Sequence, residues 1–197
     1  MDHKTIENYD LNAEEIAKLH SELAPVRLYE LTHKYFDKEG ATLDLGSGIG
    51  RDTNWLKEQG YKVIGIDASE GMIKVARERY PQLTFNKDSL PNLTTLADES
   101  FQNVFCSAVL MHLPQDELVD AIKNILRILK PSGRLIISIR NTDHLEGRED
   151  GKLYTTVIPD FLENYAKEFG GKLLLSVENY ESERGLTWDS YVFEKKK

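Results

Sequence analysis

The residues best placed to do chemistry in this sequence lie between Ala41 and Asp52, ATLDLGSGIGRD, where an apolar run carrying Asp44 leads into glycines at positions 46, 48 and 50. Glycines at this spacing tolerate positive φ and carry no Cβ, so the backbone can turn sharply and lie directly against a ligand. A dinucleotide fingerprint, G-x-G-x-x-G, would need its third glycine at position 51, which is Arg51. Asp44 stands two residues before the first glycine, where a pyrophosphate site carries an apolar residue; a carboxylate there suits a cationic ligand. Further acids close later apolar runs: Asp67 ends YKVIGID, and Asp88 lies in KDSL. His112 follows the run from Asn103 to Ala108, in VLMHLP, and is the candidate general base, because an imidazole can take up a proton near neutral pH.

These residues must be held by alternating strands and helices. The runs ending at Leu45, Asp67 and Ala108, and the later RLIISIR, read as buried strands of a parallel sheet. Trp55 and Leu56 lie on a helix that stops at Gly60, and Ser69 caps another carrying Met72, Ile73 and Ala76 up to Pro81. Leu118, Ile122, Ile125, Leu126 and Leu129 give a helix face, closed by a turn at Lys130 to Gly133. Near the start, Asn12 with Glu15 makes a capping box before Ile16, Leu19 and Leu23, and Pro25 separates that helix from one carrying Leu28, Leu31, Tyr35 and Phe36. Beyond Arg140, NTDHLEGREDGKLYTT reads as an irregular functional loop. Ile158 to Phe169 reads as a helix, and LLLSVENYE and WDSYVFEKK as an edge hairpin.

The 197 residues fit one domain: residues 1–40 as N-terminal helices and lid, 41–140 as core, and 141–197 as loop, helix and C-terminal hairpin. A net charge of −8 opposes nucleic-acid binding, which needs a basic footprint. Cys106 is the single cysteine, so a disulfide framework is excluded and a cytoplasmic location is expected. No apolar stretch approaches a membrane span, and no spacing of His, Asp and Glu builds a metal site.

As a set, the G-x-G-x-G loop with Asp44, the strand-end Asp67, KDSL and VLMHLP resemble the motifs of the class I S-adenosylmethionine (SAM) dependent methyltransferases, and the resemblance runs from about Ala41 to the C-terminus. It implies an α/β fold: a Rossmann-like, doubly wound seven-stranded sheet, mostly parallel with an antiparallel C-terminal strand, under an N-terminal helical cap. It implies SAM as cofactor and S-adenosylhomocysteine as product. Carried over, Gly46, Ser47, Gly48 and Gly50 form the cofactor loop, Asp44 faces the ammonium and Asp67 accepts the ribose hydroxyls. Ala68, Ser69 and Met72 lie beside ribose and adenine, Asp88, Ser89 and Leu90 bracket the adenine, and Ser107 lies on the transfer side. Tyr9, in IENYDLNA, is similar to a segment that closes over SAM, and Tyr154, in DGKLY, to one that faces the acceptor. His144, Arg148 and Trp188 are possible acceptor contacts, although such residues more often serve surface or packing.

The expected reaction is methyl transfer to an O, N or S atom of a small molecule. A protein methyltransferase, a non-catalytic SAM-binding module and an NAD-dependent oxidoreductase stand as alternatives. Arg51 and Asp44 oppose the last.

Overall fold

The computed structural model describes residues 1–141, 147–181 and 185–197. Three short helices, α1 (His3–Leu11), α2 (Ala13–Glu22) and α3 (Val26–Tyr35), precede β1 (Ala41–Leu45), α4 (Arg51–Glu58), β2 (Lys62–Asp67), α5 (Glu70–Arg79), β3 (Phe85–Lys87) and β4 (Phe101–Ser107). Then come α6 (Leu118–Ile128), β5 (Leu129–Arg140), the short pair β6 (Gly147–Glu149) and β7 (Lys152–Tyr154), α7 (Pro159–Glu168), β8 (Gly171–Glu181) and β9 (Leu186–Lys195). Seven strands form one sheet in the order β3-β2-β1-β4-β5-β9-β8. Pairings from β3 through β5 are parallel, while β9 runs antiparallel to both β5 and β8.

Alternate residues of the central strands serve opposite layers. Val104 and Cys106 of β4, with Leu135 and Ile137 of β5, pack with Leu118, Ile122, Ile125 and Leu126 of α6. Their neighbours Phe105 and Ile136 turn the other way, onto Leu28 and Leu31 of α3 and Leu56 of α4. Covering both faces makes these strands continuously apolar in sequence, and it is the doubly wound arrangement that the strand and helix alternation implies. Chain direction across the sheet reverses between β1 and β4, and the C-terminal ends of the strands there form the crevice in which such sheets bind ligands.

Several local expectations need correction. A further helix, α1, spans residues 3–11 with Asp2 as its cap, whose Oδ1 accepts from the Thr5 amide at 2.8 Å, while the helix expected after Asn12 is α2. Asn12 lies between α1 and α2 and its amide donates back to Asn8 O at 3.0 Å, so no capping box forms with Glu15. The turn expected at Lys130–Gly133 is an irregularity inside β5, which pairs Leu129 with Phe101 before resuming at Arg134 and Asn103. Part of the presumed irregular loop is the β6–β7 hairpin, with Asp150 and Gly151 at its turn, both at positive φ. The C-terminal hairpin is present, with β9 set inside the sheet and β8 on its edge.

Candidate active site

One cleft of about 630 Å³ opens at the C-terminal ends of β1, β2, β4 and β5. Its wall begins with the glycine loop. The amides of Gly46 and Ser47 both donate to Ile66 O at 2.9 Å, and the Gly48 amide donates to Asp67 Oδ2 at 2.8 Å, so the loop is tied to the end of β2. Gly48, at φ +52°, would direct a Cβ toward the Met72 methyl 3.7 Å away, with no other heavy atom within 4 Å. This open cradle on the cleft wall has the form required by a ligand lying on bare backbone. Beside it, Ser47 Oγ is buried with no partner, which suits a polar ligand group.

Gly50 serves differently from its neighbours. It does not line the cleft; at φ +79° it is the N-cap of α4, and a Cβ there would sit 2.6 Å from the Phe85 ring. Its assignment as a cofactor contact is therefore corrected to a packing role. Asp44 is also withdrawn from the cleft wall. Its carboxylate, 2 % exposed, accepts from Thr53 Oγ1 at 2.5 Å beneath the loop, and burial together with the nearby Asp52 pushes its pKa well above the carboxylate range. A carboxyl capped and desolvated in this way holds β1 to α4 and does not face a ligand ammonium.

Asp67 does reach the cleft. Oδ2 takes the Gly48 amide and Oδ1 the Ser69 amide, at 2.8 and 2.9 Å, and a carboxylate has lone pairs left for two hydroxyls. Burial raises its pKa, opposed by the backbone amides of Ser69, Gly48 and Ala68. Ala68, Ser69, Met72, Asp88, Ser89, Leu90 and Ser107 also line the cleft. The Asp88 carboxylate is committed to its own loop, accepting from the amides of Ser89 and Thr95 and the Thr95 hydroxyl, so its contribution to the wall is shape and backbone.

His112 lies against the cleft, 5 % exposed. Nδ1 is 2.7 Å from Leu153 O, which can only accept, so Nδ1 carries the proton and the Nε2 lone pair is left for the Tyr9 hydroxyl at 3.5 Å. Burial pushes the imidazole pKa down to about 4 and raises that of Tyr9, so both are neutral near pH 7. Tyr154 meets the imidazole edge-on at 5.0 Å.

Helix α1 roofs this site. The Asp2 carboxylate takes a two-pronged bond from Arg148 at 2.8 and 2.7 Å, Thr5 Oγ1 accepts from the Leu153 amide and Asn8 donates to Asp150 O, which fastens α1 to the β6–β7 hairpin. On its other side, Asp10 Oδ1 accepts from Ser69 Oγ at 2.6 Å and the Gly71 amide at 2.9 Å, at the start of α5. The N-terminal segment around Tyr9 and the chain beyond Arg140 therefore meet; residues 142–146, including His144, lie outside the described residues. Arg148 is spent on Asp2, whereas Trp188 lines the cleft and donates Nε1 to Glu181 at 3.0 Å.

Sequence reasoning missed Asp10 and Arg140. Arg140 ends β5 on the cleft wall, and the rule that ligands bind beyond strand C-termini could have flagged it. Asp10 lies beside Tyr9 in IENYDLNA, the segment that the resemblance marks, but the resemblance gives its own carboxylate no role. Seven acidic residues line the cleft against four Arg and Lys, a balance that suits the cationic sulfonium of SAM. Among the described residues no group of His, Cys, Asp and Glu could hold a metal ion, and no helix is long and apolar enough to cross a membrane.

In sheet order, switch-point cleft and the glycine cradle beside Asp67 the chain is similar to the class I S-adenosylmethionine-dependent methyltransferases. A family model described as a methyltransferase domain matches residues 43–137. An uncharacterized methyltransferase of Alkaliphilus oremlandii is 30% identical over 101 residues, 51% of this chain and 46% of that protein. The ubiquinone biosynthesis O-methyltransferase of Xanthomonas oryzae is 34% identical over 124 residues, 60% of this chain and 51% of its own length. This chain thus spans about half the length of the curated relatives it matches. In fold it is similar to Burkholderia thailandensis 1,6-didemethyltoxoflavin-N1-methyltransferase, with a TM-score of 0.77 and 20% identity over 98% of this chain and 88% of that one.

Proposed function

We propose that this protein transfers the methyl group of SAM to an O, N or S atom of a small-molecule acceptor. The observation that carries the reading is the glycine cradle tied by Gly48 to Asp67 in a cleft roofed by α1. In it, Gly46, Ser47 and Gly48 hold the amino-acid portion, Asp67 receives the ribose hydroxyls, and Met72, Ser89 and Leu90 flank the adenine. SAM brings a methyl carbon made electrophilic by its sulfonium. The protein's task is to align the acceptor atom with that carbon and to exclude water, and holding two reactants in line can supply about 7–11 kcal/mol of the barrier.

His112 enters as a neutral imidazole whose Nε2 lone pair is engaged only by the long 3.5 Å contact from the Tyr9 hydroxyl. With a pKa near 4 it is a weak base, and its role in this reading is to orient a hydroxyl or amine of the acceptor by accepting a hydrogen bond. The roof of α1 and the hairpin favours a small acceptor over a protein segment, which would need an open groove. The net charge of −8 disfavours nucleic acid as acceptor, and the buried lone Cys106 is in keeping with a cytoplasmic location.

Equilibrium binding of SAM against NAD, followed by detection of S-adenosylhomocysteine in a screen of mixed metabolites, tests the proposal. Preference for NAD would refute it. Tight SAM binding without turnover on any acceptor would favour the non-catalytic module.

A further inference from the structure

We infer that the acceptor carries an anionic oxygen, of the carboxylate kind, and that Arg140 receives it; the inference deepens the methyltransferase reading and rests on it. Arg140 closes β5 opposite Trp188 of β9, and two residues earlier Ser138 lies opposite Ser190. Residues two apart on a strand, and those directly across from them, share one face of a sheet, so these four side chains form a single patch. All four line the cleft.

Two polar atoms in this patch have no partner. Arg140 Nη1 donates to Glu149 at 2.6 Å and the guanidinium carbon rests 5.1 Å over the Tyr154 ring, yet the buried Nε makes no hydrogen bond. Ser190, 1 % exposed, has an equally unpartnered Oγ. A guanidinium Nε–H can only donate, and a buried donor without an acceptor is costly enough that native proteins seldom leave one. Strands β5 and β9 thus present an orphan donor and an orphan hydroxyl, diagonal to each other, in the wall of a ligand cleft. A ligand oxygen relieves both.

The charge of Arg140 selects an anion. Glu149, with its side chain 40% exposed, balances one edge of the guanidinium and fixes it over Tyr154, and leaves the Nε edge unused. The cofactor residues lie elsewhere, on the loop after β1 and the end of β2, with β4 between them and β5. Arg51, the cation nearest the glycine loop in sequence, is already held by Asp52 and by the carbonyls of His20 and Leu23. Of the other cleft cations, Arg27 pairs with Glu30 and Lys152 lies over the Tyr9 ring, so Arg140, with its buried Nε unpartnered, is the one placed for the acceptor.

The test uses the full chain saturated with S-adenosylhomocysteine and titrates matched probes: acetate against acetamide, benzoate against benzamide, and anthranilate against anthranilamide. At least one carboxylate should bind about tenfold or more tighter than its amide, as expected for a charge-assisted contact. Arg140→Met should erase that preference while leaving S-adenosylhomocysteine affinity unchanged. Glu149→Gln, a change at a partly exposed side chain, should enlarge it by freeing Nη1, and this arm stands even if the arginine variant misfolds. Equal binding of acids and amides, no binding of any carboxylate, or a preference that survives Arg140→Met would overturn the inference. So would weakened S-adenosylhomocysteine binding in Arg140→Met, since Arg140 would then hold the cofactor's own carboxylate. Failure of the wild-type chain to bind S-adenosylhomocysteine would instead overturn the function it rests on, and the inference with it.

Discussion

Replacing Asp67 separates two jobs that one carboxylate performs. In the free protein its oxygens accept the Gly48 and Ser69 amides, which shape the glycine loop and the start of α5. With cofactor bound, the remaining lone pairs would accept the ribose hydroxyls. Asp67→Ala removes all of these bonds. A hydrogen bond to a charged group contributes about 1.5–3 kcal/mol, so SAM affinity should fall by about 10- to 150-fold. Two buried amides also lose their acceptor, so folding stability should drop by about 1–3 kcal/mol or more, a loss the ribose role alone does not predict. Asp67→Asn refines the comparison. Its carbonyl oxygen can serve one amide while its NH2 group opposes the other, so it should fold better than Asp67→Ala and still bind SAM weakly. Urea unfolding and titration calorimetry read the two effects independently. An unchanged dissociation constant in a variant shown to be destabilised would refute the ribose assignment and leave Asp67 a purely structural residue.

The other predictions concern the roof, the loop and the histidine. Asp10→Ala should raise hydrogen exchange in α1 and at the N-terminus of α5 while leaving the central strands protected; unchanged exchange would mean that Asp10 does not fasten the roof. Gly48→Val should abolish SAM binding and cost about 1–2 kcal/mol of stability through its positive φ, whereas Gly50→Ala should cost about 2–5 kcal/mol because the Phe85 contact adds to the positive φ. Equal effects on binding and stability at both positions would defeat that division. For His112, the unfolded imidazole binds a proton below about pH 6.5 and the folded one only below about pH 4. In that window the unfolded chain holds more protons, so stability should rise with pH between 4 and 6.5 and be lost as pH falls, and His112→Gln should flatten the slope. Single-turnover methyl transfer, once an acceptor is known, should show no limb between pH 6 and 7 that His112→Gln removes; such a limb would restore His112 as the base.

Much of the core was legible because local patterns and tertiary demands coincide there. A strand covered on both faces must be apolar throughout, and the β1, β2, β4 and β5 runs announce it; the glycine loop and Asp67 follow from the turn that joins strand to helix. Asp44 and Gly50 were misassigned for the opposite reason. The same spacing that places Gly46 and Gly48 on the ligand side rotates Gly50 onto Phe85 and Asp44 onto Thr53, and a one-dimensional motif carries no direction. Helix α1 escaped because its sequence is polar and its stability comes from long-range partners: Arg148, Leu153, Ser69 and Gly71. Arg140 could be placed at a strand end from sequence, but its unpartnered Nε and its neighbours Trp188 and Ser190 appear only with β9 beside β5.

That placement of β9 also dictates an order of assembly. The strands that build the cofactor half are consecutive in the chain up to β5 and pair in parallel without help from later segments. Among the described residues strand β8 pairs with β9 alone, so it can join the sheet only with or after β9, which docks along β5. During synthesis, β5 therefore waits as an open apolar edge, the kind of edge that invites pairing with a second chain. Trp188 and Ser190, which face Arg140 and Ser138, come into position in that last docking step.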